Sequence, residues 1–341
     1  MPVGHNVRVK RMRKVLSPRE VREELPVPHV LAQKTIQHRS EIAKILHQTD
    51  GRFLVVVGPC SIHDTEASLE YAGKLAELQR RLRKIKVVMR TYFEKPRTTI
   101  GWKGLINDPD VSGGFDIESG LRRARELLIE VVKKDLPVGT EFLDPTTPQY
   151  FSELVSWASI GARTTESQTH RQMASGLSMP VGYKNATSGE ILTAVNAMVS
   201  ARNPHHFLGV DDDGCNCIVE TTGNPDGHLI LRGGEVPNYF PESIRKATRA
   251  LLDHNMQPSL LVDCSHANCE RKSSNQVKVW DSIISQRKRN PNIIGAMLES
   301  FLFEGKQAPN SSELRYGVSI TDECLSWEQT RGLLLEAEAR L

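Results

Sequence analysis

Short apolar runs bounded by turn residues alternate along this chain with longer stretches whose apolar positions recur every three to four residues. Runs of four to eight β-branched or apolar residues read as buried strands, and the helical spacing reads as helices packed over them. Strands are expected at 53–57, 86–90, 138–142, 160–163, 180–184, 228–232, 259–263 and 293–299. Helices are expected at 65–82, 117–134, 147–159, 168–176, 189–201, 242–254 and 273–288, with 325–339 closing the chain. Strand followed by helix, eight times over, predicts an α/β protein with a closed parallel barrel, a (β/α)8 TIM barrel, in preference to a doubly wound sheet.

Two stretches fall outside that repeat. Residues 1–50 precede the first strand and carry one helical pattern at about 28–48, so they read as an N-terminal extension. Residues 207–223 place an Asp-Asp-Asp-Gly turn between two β-rich pieces, the signal of an inserted β-hairpin. The expected organisation is an N-terminal arm over 1–50, used for subunit contact and regulation, and one catalytic barrel over 51–341. A length of 341 residues, above the ~250 of a plain barrel, agrees with such additions.

Composition narrows the class. Hydrophobic content is 39% and no apolar run approaches the roughly 18 residues of a membrane span, so a soluble protein with no membrane partner is expected. A net charge of +3 gives no support to a global nucleic-acid surface. The six cysteines form neither a paired framework nor a zinc pattern, which suits a reducing compartment and a cytoplasmic location. The basic run Arg8, Lys10, Arg11, Arg13 and Lys14 has no apolar segment after it and reads as a solvated arm or a subunit contact.

The chemistry gathers where the strands end. Arg90, Lys95, Arg97, Arg163, Lys184 and Arg232 all fall at expected strand ends or just beyond, the C-terminal rim where such barrels build their sites. Six cations in one mouth repel one another, so a ligand with several negative charges is expected; pairing with local carboxylates such as Glu141 is the alternative for any one of them. Cys60, His266, Glu299 and Asp322 lie far apart in sequence, but barrel closure makes the first, seventh and eighth strands neighbours and would bring them together. A Cys/His/carboxylate set suits Mn²⁺, Fe²⁺, Co²⁺ or Zn²⁺ better than Mg²⁺. His63, His170, His205, His206, His228 and His254 read as structural.

The motifs GPCSIHD at 58–64, MRTYFEKPRTTIGWKGLINDPD at 89–110, IGARTTESQTHR at 160–171, Lys184-Asn185, GHLILRGG at 227–234, DCSHAN at 263–268 and YGVSITDECLSWEQT at 316–330 together resemble 3-deoxy-D-arabino-heptulosonate 7-phosphate synthases of the microbial type under aromatic amino-acid feedback. The resemblance spans essentially the whole chain. It implies condensation of phosphoenolpyruvate with erythrose 4-phosphate, the first step toward chorismate. Carried over position by position, it implies a divalent metal (Mn, Fe, Co or Zn) on Cys60, His266, Glu299 and Asp322. It further implies Arg163, Lys184 and Arg232 at the phosphate of phosphoenolpyruvate, Arg90 and Lys95 at its carboxylate, and Arg97 and Thr98 at the phosphate of the aldose. Lys95 is also placed to protonate the aldehyde oxygen, Asp322 borders the substrates, and Glu141 is a candidate for positioning water. Rival expectations are the sister enzyme that uses arabinose 5-phosphate and a non-catalytic regulatory barrel.

The same resemblance implies a homodimer or homotetramer in which the arm of one subunit meets the hairpin of another, with an aromatic amino-acid inhibitor between them. Gly209 and Ser178 are the regulatory candidates, and glycine rather than serine at 209 points to tyrosine. Departures are few. Asn185-Ala186-Thr187-Ser188-Gly189 replaces the family's usual Asn-Gly-Thr-Asp-Gly, and Phe301 stands where a polar residue is common.

Overall fold

The computed structural model of the chain describes residues 4–309 and 313–341. Eight parallel strands close on themselves: β1 (Phe53–Gly58), β2 (Ile85–Arg90), β3 (Val138–Glu141), β4 (Trp157–Ile160), β5 (Val181–Lys184), β8 (Gly227–Leu231), β9 (Leu260–Asp263) and β10 (Ile293–Glu299), with β10 returning to β1. Between β5 and β8 the chain inserts an antiparallel hairpin, β6 (His206–Val210) and β7 (Asn216–Glu220). The β-branched runs form strands buried on both faces because helices cover the outside and side chains fill the inside. Along β1, Phe53, Val55 and Val57 belong to the outer layer, whereas Leu54 and Val56 pack within the barrel.

This period-two alternation decides which residues reach the mouth. Inward positions on β2 run Lys86, Val88, Arg90, and those on β8 run His228, Ile230 and then Arg232 just past the strand. On β10, Met297 is followed inward by Glu299, and on β9 Leu261 is followed by Asp263. Each apolar interior layer is therefore capped by a charged one at the C-terminal rim.

The opposite end is plugged. Helix α1 (Pro18–Glu24) is followed by α2 (His29–Leu46), which buries Ile42, Ile45 and Leu46 against Leu54, Trp157, Leu261 and Ile294 of the barrel interior. Inside that end the Lys86 ammonium sits 2.8 Å from Glu41 and 3.2 Å from His38 Nδ1 of α2. Burial and the Lys86 charge push His38 down to about 4, so it is neutral and accepts from Lys86. Residues 29–46 are thus built into the base of the barrel, and the exposed lead segment ends near Val15. Sequence reasoning did not anticipate α1, although Ser17 and Glu20 form a capping box around Pro18. Arg22 pairs with Asp212 and Arg19 with Asp213, and the Arg19 amide donates to the Asp212 carbonyl at 2.8 Å, so α1 is tied to the hairpin turn of its own chain.

One pair of expected elements is displaced. The helix expected over 147–159 is only α5 (Pro148–Phe151) with a 3-10 turn at Ser152–Leu154, and the strand expected at 160–163 is β4, three residues earlier. Trp157 fixes the register: its indole lies inside the barrel and donates to His228 Nε2 at 3.0 Å. Burial pushes His228 down to about 3, so the imidazole is neutral and accepts. The chain turns at Gly161, whose carbonyl accepts the amides of Thr164 and Thr165, and Arg163 stands in that turn rather than in the strand. The remaining elements, α3 (Thr65–Gln79), α4 (Ile117–Lys133), α6 (Gln168–Gly176), α7 (Leu192–Ala201), α8 (Pro241–Asp253), α9 (Gln276–Arg287) and α10 (Trp327–Arg340), fall within a few residues of expectation. Among the described residues no helix is long and apolar enough to cross a membrane.

The base plug makes a stability prediction. Lys86→Met removes the buried partner of Glu41, and because that carboxylate keeps Arg52 at 3.2 Å and 21% exposure the cost falls below the ~3–5 kcal/mol of a fully buried pair, at about 1–2 kcal/mol. Urea unfolding of the variant at pH 7 measures it.

Candidate active site

At the C-terminal mouth the capping layer surrounds a cavity of about 250 Å³, lined by residues that include Arg90, Tyr92, Lys95, Lys184, Arg232 and His266. Arg90 is fully buried: Nη2 donates to Glu299 Oε1 at 3.1 Å, Nε donates to the Pro59 carbonyl at 3.3 Å, and Nη1 has no partner. Its guanidinium carbon lies 4.0 Å from the centroid of the Tyr92 ring, with the Lys184 ammonium 5.4 Å from the same centroid. An aromatic ring within reach of both cations offsets part of their mutual repulsion, and Tyr92 is anchored by a 2.9 Å bond between its hydroxyl and Ser159. Lys184 donates to Glu141 Oε2 at 2.9 Å. Gly161 makes room for that carboxylate, since a Cβ there would lie 2.4 Å from Glu141 Oε1.

The six cations divide into two kinds. Arg90 and Lys184 have carboxylate partners, as the alternative reading of strand-end cations required. Arg163 and Arg232, joined in the lining by Arg271, have no ion pair among the described residues. Burial lowers the Arg232 pKa from its ordinary value; Asp263 opposes that, and the charges of Arg163 and Arg271 add to it. With Arg97 at the rim, four guanidiniums in one mouth lack a counter-ion among the described residues, which leaves a site for an anion. Arg97 is exposed and held by a 2.7 Å bond from Nε to the Trp102 carbonyl. Thr98 is also exposed and lines an adjoining recess with Arg163 and Arg232.

On the other side of the cavity Cys60, Glu299 and Asp322 each offer a ligand atom within 4.8 Å of the others. Cys60 Sγ lies 3.7 Å from Asp322 Oδ2 and 3.2 Å from Lys95 Nζ. His266 stands outside that trio but points its Nε2 toward it, 3.8 Å from Glu299 Oε1. Its Nδ1 faces Asp263 Oδ2 at 2.9 Å and Ser265 Oγ at 2.7 Å, contacts that hold the ring with Nε2 toward the cavity. Burial disfavours the Asp263 charge, yet His266, Lys184 and Arg90 hold its carboxyl well below the usual range. The Cys60 thiol is pushed up to about 11 by burial and by Glu299, against the pull of Lys95. Burial opposes the Lys95 charge as well, but Cys60, Glu299 and Asp322 raise its pKa, so the ammonium form persists. One thiol, two carboxylates and an imidazole facing a common point fit a divalent ion of intermediate softness.

Sequence reasoning missed Tyr92, Asp263, Ser265 and Arg271. The first two were readable as inward positions one strand period from Arg90 and His266's neighbours. Arg271 carried no such sign: it reaches the cavity because His266, Glu270 and Arg271 all take positive φ, at 57°, 52° and 61°. The regulatory candidates lie away from this cavity. Ser178 is exposed in the turn between α6 and β5, and Gly209 pairs with Cys217 in the hairpin, where a Cβ would come 2.5 Å from Val219 Cγ2.

Residues 30–335 match the DAHP synthetase I family. The chain belongs to that family. Over 336 residues it is 49% identical to the Tyr-sensitive phospho-2-dehydro-3-deoxyheptonate aldolase of Salmonella typhimurium, covering 97% of this chain and 94% of that protein. Over 331 residues it is 48% identical to the Trp-sensitive enzyme of the same organism, covering 96% and 95%. The solved structure of the phospho-2-dehydro-3-deoxyheptonate aldolase from Francisella tularensis SCHU S4 superposes with a TM-score of 0.96 at 44% identity, covering 97% of this chain and 98% of that one. The fold is therefore shared with that solved structure over 97% of this chain.

The Lys184–Glu141 pair yields a test of the cationic mouth. Glu141→Gln leaves a buried ammonium uncompensated at a cost of about 3 kcal/mol. Thermal denaturation in anion-free buffer should show the loss, and millimolar inorganic phosphate should recover part of it by occupying the mouth. In the wild type the Glu141 carboxyl lies below its ordinary value, so its contribution is present above the usual carboxylate range and disappears as pH falls through the lower folded value.

Proposed function

We propose that the protein condenses phosphoenolpyruvate with D-erythrose 4-phosphate and water, giving 3-deoxy-D-arabino-heptulosonate 7-phosphate and inorganic phosphate. The observation that carries this is one cavity lined by four guanidiniums with no ion pair among the described residues, Arg97, Arg163, Arg232 and Arg271, beside a Cys60–Glu299–Asp322 ligand group, in a chain of the DAHP synthetase I family. The enol's C3 forms the new bond to the aldehyde carbon, water adds to C2, and phosphate leaves with cleavage of its C2–O bond.

Each residue has a proposed part. Arg163, Lys184 and Arg232 bind the phosphate of phosphoenolpyruvate; guanidinium forks suit its oxygens and Lys184 adds a point charge. The unpartnered Nη1 of Arg90 is a donor free for the carboxylate, with Lys95 beside it. Lys95, kept protonated, also donates to the aldehyde oxygen as negative charge builds there. Arg97 and Thr98 hold the aldose phosphate at the rim, and Glu141 orients water while fixing Lys184. Cys60, His266, Glu299 and Asp322 would hold a divalent Mn, Fe, Co or Zn ion, which would supply Lewis acidity to the aldehyde or orientation to the water. Holding two anions in register contributes up to roughly 7–11 kcal/mol of the lowered barrier.

Regulation is proposed to run through an oligomer. Leu208 and Ile218 are a cross-strand pair on the hairpin with 84% and 72% exposure, an apolar face suited to burial by another subunit in a homodimer or homotetramer. The exposed lead segment, with Val7, Val9 and Met12, is the matching arm. An aromatic amino acid bound near Gly209 and Ser178 is the proposed inhibitor, tyrosine being favoured by the glycine. The Tyr- and Trp-sensitive relatives are almost equally similar, so identity does not discriminate between them. The packing of Gly209 against Val219 gives that glycine a local reason as well.

Turnover assays with erythrose 4-phosphate and with arabinose 5-phosphate test the reaction: only the first should be consumed, chelation should abolish the rate and Mn²⁺ should restore it. Undiminished activity in a preparation shown to be metal-free would refute the metal assignment. Titrating phenylalanine, tyrosine and tryptophan against initial rate tests the regulation, with full-length protein and with residues 1–14 removed, a cut that spares α1 and the α2 plug. Tyrosine should inhibit the full chain and lose most of its effect on the truncated one.

A further inference from the structure

The segment that carries Lys95 and Arg97 leaves the barrel at Glu94. Phe93 and Glu94 are buried, Lys95 and Pro96 partly so, and residues 97–101 are exposed. The loop returns through buried Trp102, and its root is closed by the Lys95 amide donating to the Lys103 carbonyl at 2.8 Å. Gly104 follows at φ 114°, where a Cβ would stand 2.1 Å from the Phe93 carbonyl oxygen. The last buried side chain before this loop is therefore a carboxylate.

That carboxylate reaches a second loop. Glu94 Oε1 accepts the Asp144 amide at 3.2 Å, and Oε2 accepts the Leu143 amide at 3.4 Å and the Thr147 hydroxyl at 3.1 Å. Those donors follow Glu141 directly, between β3 and α5. Among the described residues Glu94 has no cation partner, and burial together with Asp144 pushes its pKa up to about 7. The charged groups facing it are Asp144 and, across a cavity of about 300 Å³ walled by α4 and the lead segment, Glu118 and Arg13. A buried carboxylate with no cation lowers stability whenever it is ionised, so the fold alone favours a neutral amide there. Positions that work against stability concentrate where function needs them.

We propose that Glu94 is a positioning residue: its carboxylate latches the loop bearing Lys95 and Arg97 to the loop that follows Glu141, and so sets the half of the mouth that receives the aldose phosphate. The inference rests on the reaction proposed above. Losing one charge-assisted acceptor should misplace the loop by an amount worth about tenfold in aldose binding. Phosphoenolpyruvate, whose phosphate is held by Arg163, Lys184 and Arg232 from other strands and which meets this loop only through Lys95, should be weakened less.

The test uses the full-length metal-loaded enzyme and Glu94→Gln. At pH 8 the variant should raise the KM for erythrose 4-phosphate about tenfold, raise the KM for phosphoenolpyruvate by clearly less and not lower Tm, because a buried charge has been removed. The wild-type aldose KM should climb as pH falls from 8 to 6 and Glu94 protonates; that of Glu94→Gln should stay flat relative to it. An unchanged aldose KM, an equal rise for both substrates, or a lowered Tm with normal KM values would overturn the proposal. Amide hydrogen exchange over residues 95–103 gives a readout without turnover, and it should be faster in Glu94→Gln. If the wild type fails to condense the two substrates, the reaction proposal falls while the exchange measurement still decides the latch, with unchanged rates refuting it.

Discussion

Repulsion among like charges at the mouth of a closed barrel is the constraint around which the upper half of this molecule is organised. Strand periodicity delivers a charged layer to the rim, and that layer holds more guanidinium and ammonium groups than local carboxylates satisfy. Two of the cations are neutralised by Glu141 and Glu299, and the Tyr92 ring lies within reach of both. Arg97, Arg163, Arg232 and Arg271 have no carboxylate partner among the described residues. Glu299 serves twice, since the same carboxylate that balances Arg90 belongs to the group able to hold a metal. The cationic half of the mouth and the candidate ligand group are thereby coupled through a single side chain, and a change in the charge on one side is felt at the other.

The interior below the rim supplies the rigidity this crowding needs. Trp157 and His228 form a neutral hydrogen-bonded pair in mid-barrel, and α2 seals the base with apolar side chains around the Lys86 ammonium. An apolar, buried floor keeps the effective dielectric low under the charged layer, which strengthens the pairs above it and raises the cost of any that is broken.

Much of this was legible before any coordinates. Eight short apolar runs separated by helical periods specify a barrel, and cations at the ends of those runs specify its working face. The convergence of Cys60, Glu299 and Asp322 followed from closure of the sheet, because β1 and β10 are distant in sequence and adjacent in space. What escaped was set by tertiary packing. The β4 register depends on a tryptophan donating to a histidine on a strand 71 residues away, which no local propensity records. Arg271 depends on positive φ values at His266, Glu270 and Arg271, within one loop of otherwise ordinary residues. The integration of α2 into the base was hidden because an amphipathic helix before a barrel looks the same in sequence whether it docks on the barrel or on a neighbour.

The pairing of β1 with β10 also bears on how the chain reaches this state. Five parallel contacts, from Leu54 with Gly295 to Gly58 with Glu299, join segments more than 200 residues apart, and the Ser259 hydroxyl donates to the Leu46 carbonyl across 213 residues. Until the last strand has been synthesised, β1 presents one unpaired edge and the apolar face of α2 has no floor to cover. Closure is then a late event of high contact order, slow compared with forming any single strand–helix unit. During synthesis the N-terminal quarter must therefore survive with exposed Ile42, Ile45 and Leu46, which makes this region the place where aggregation competes with folding.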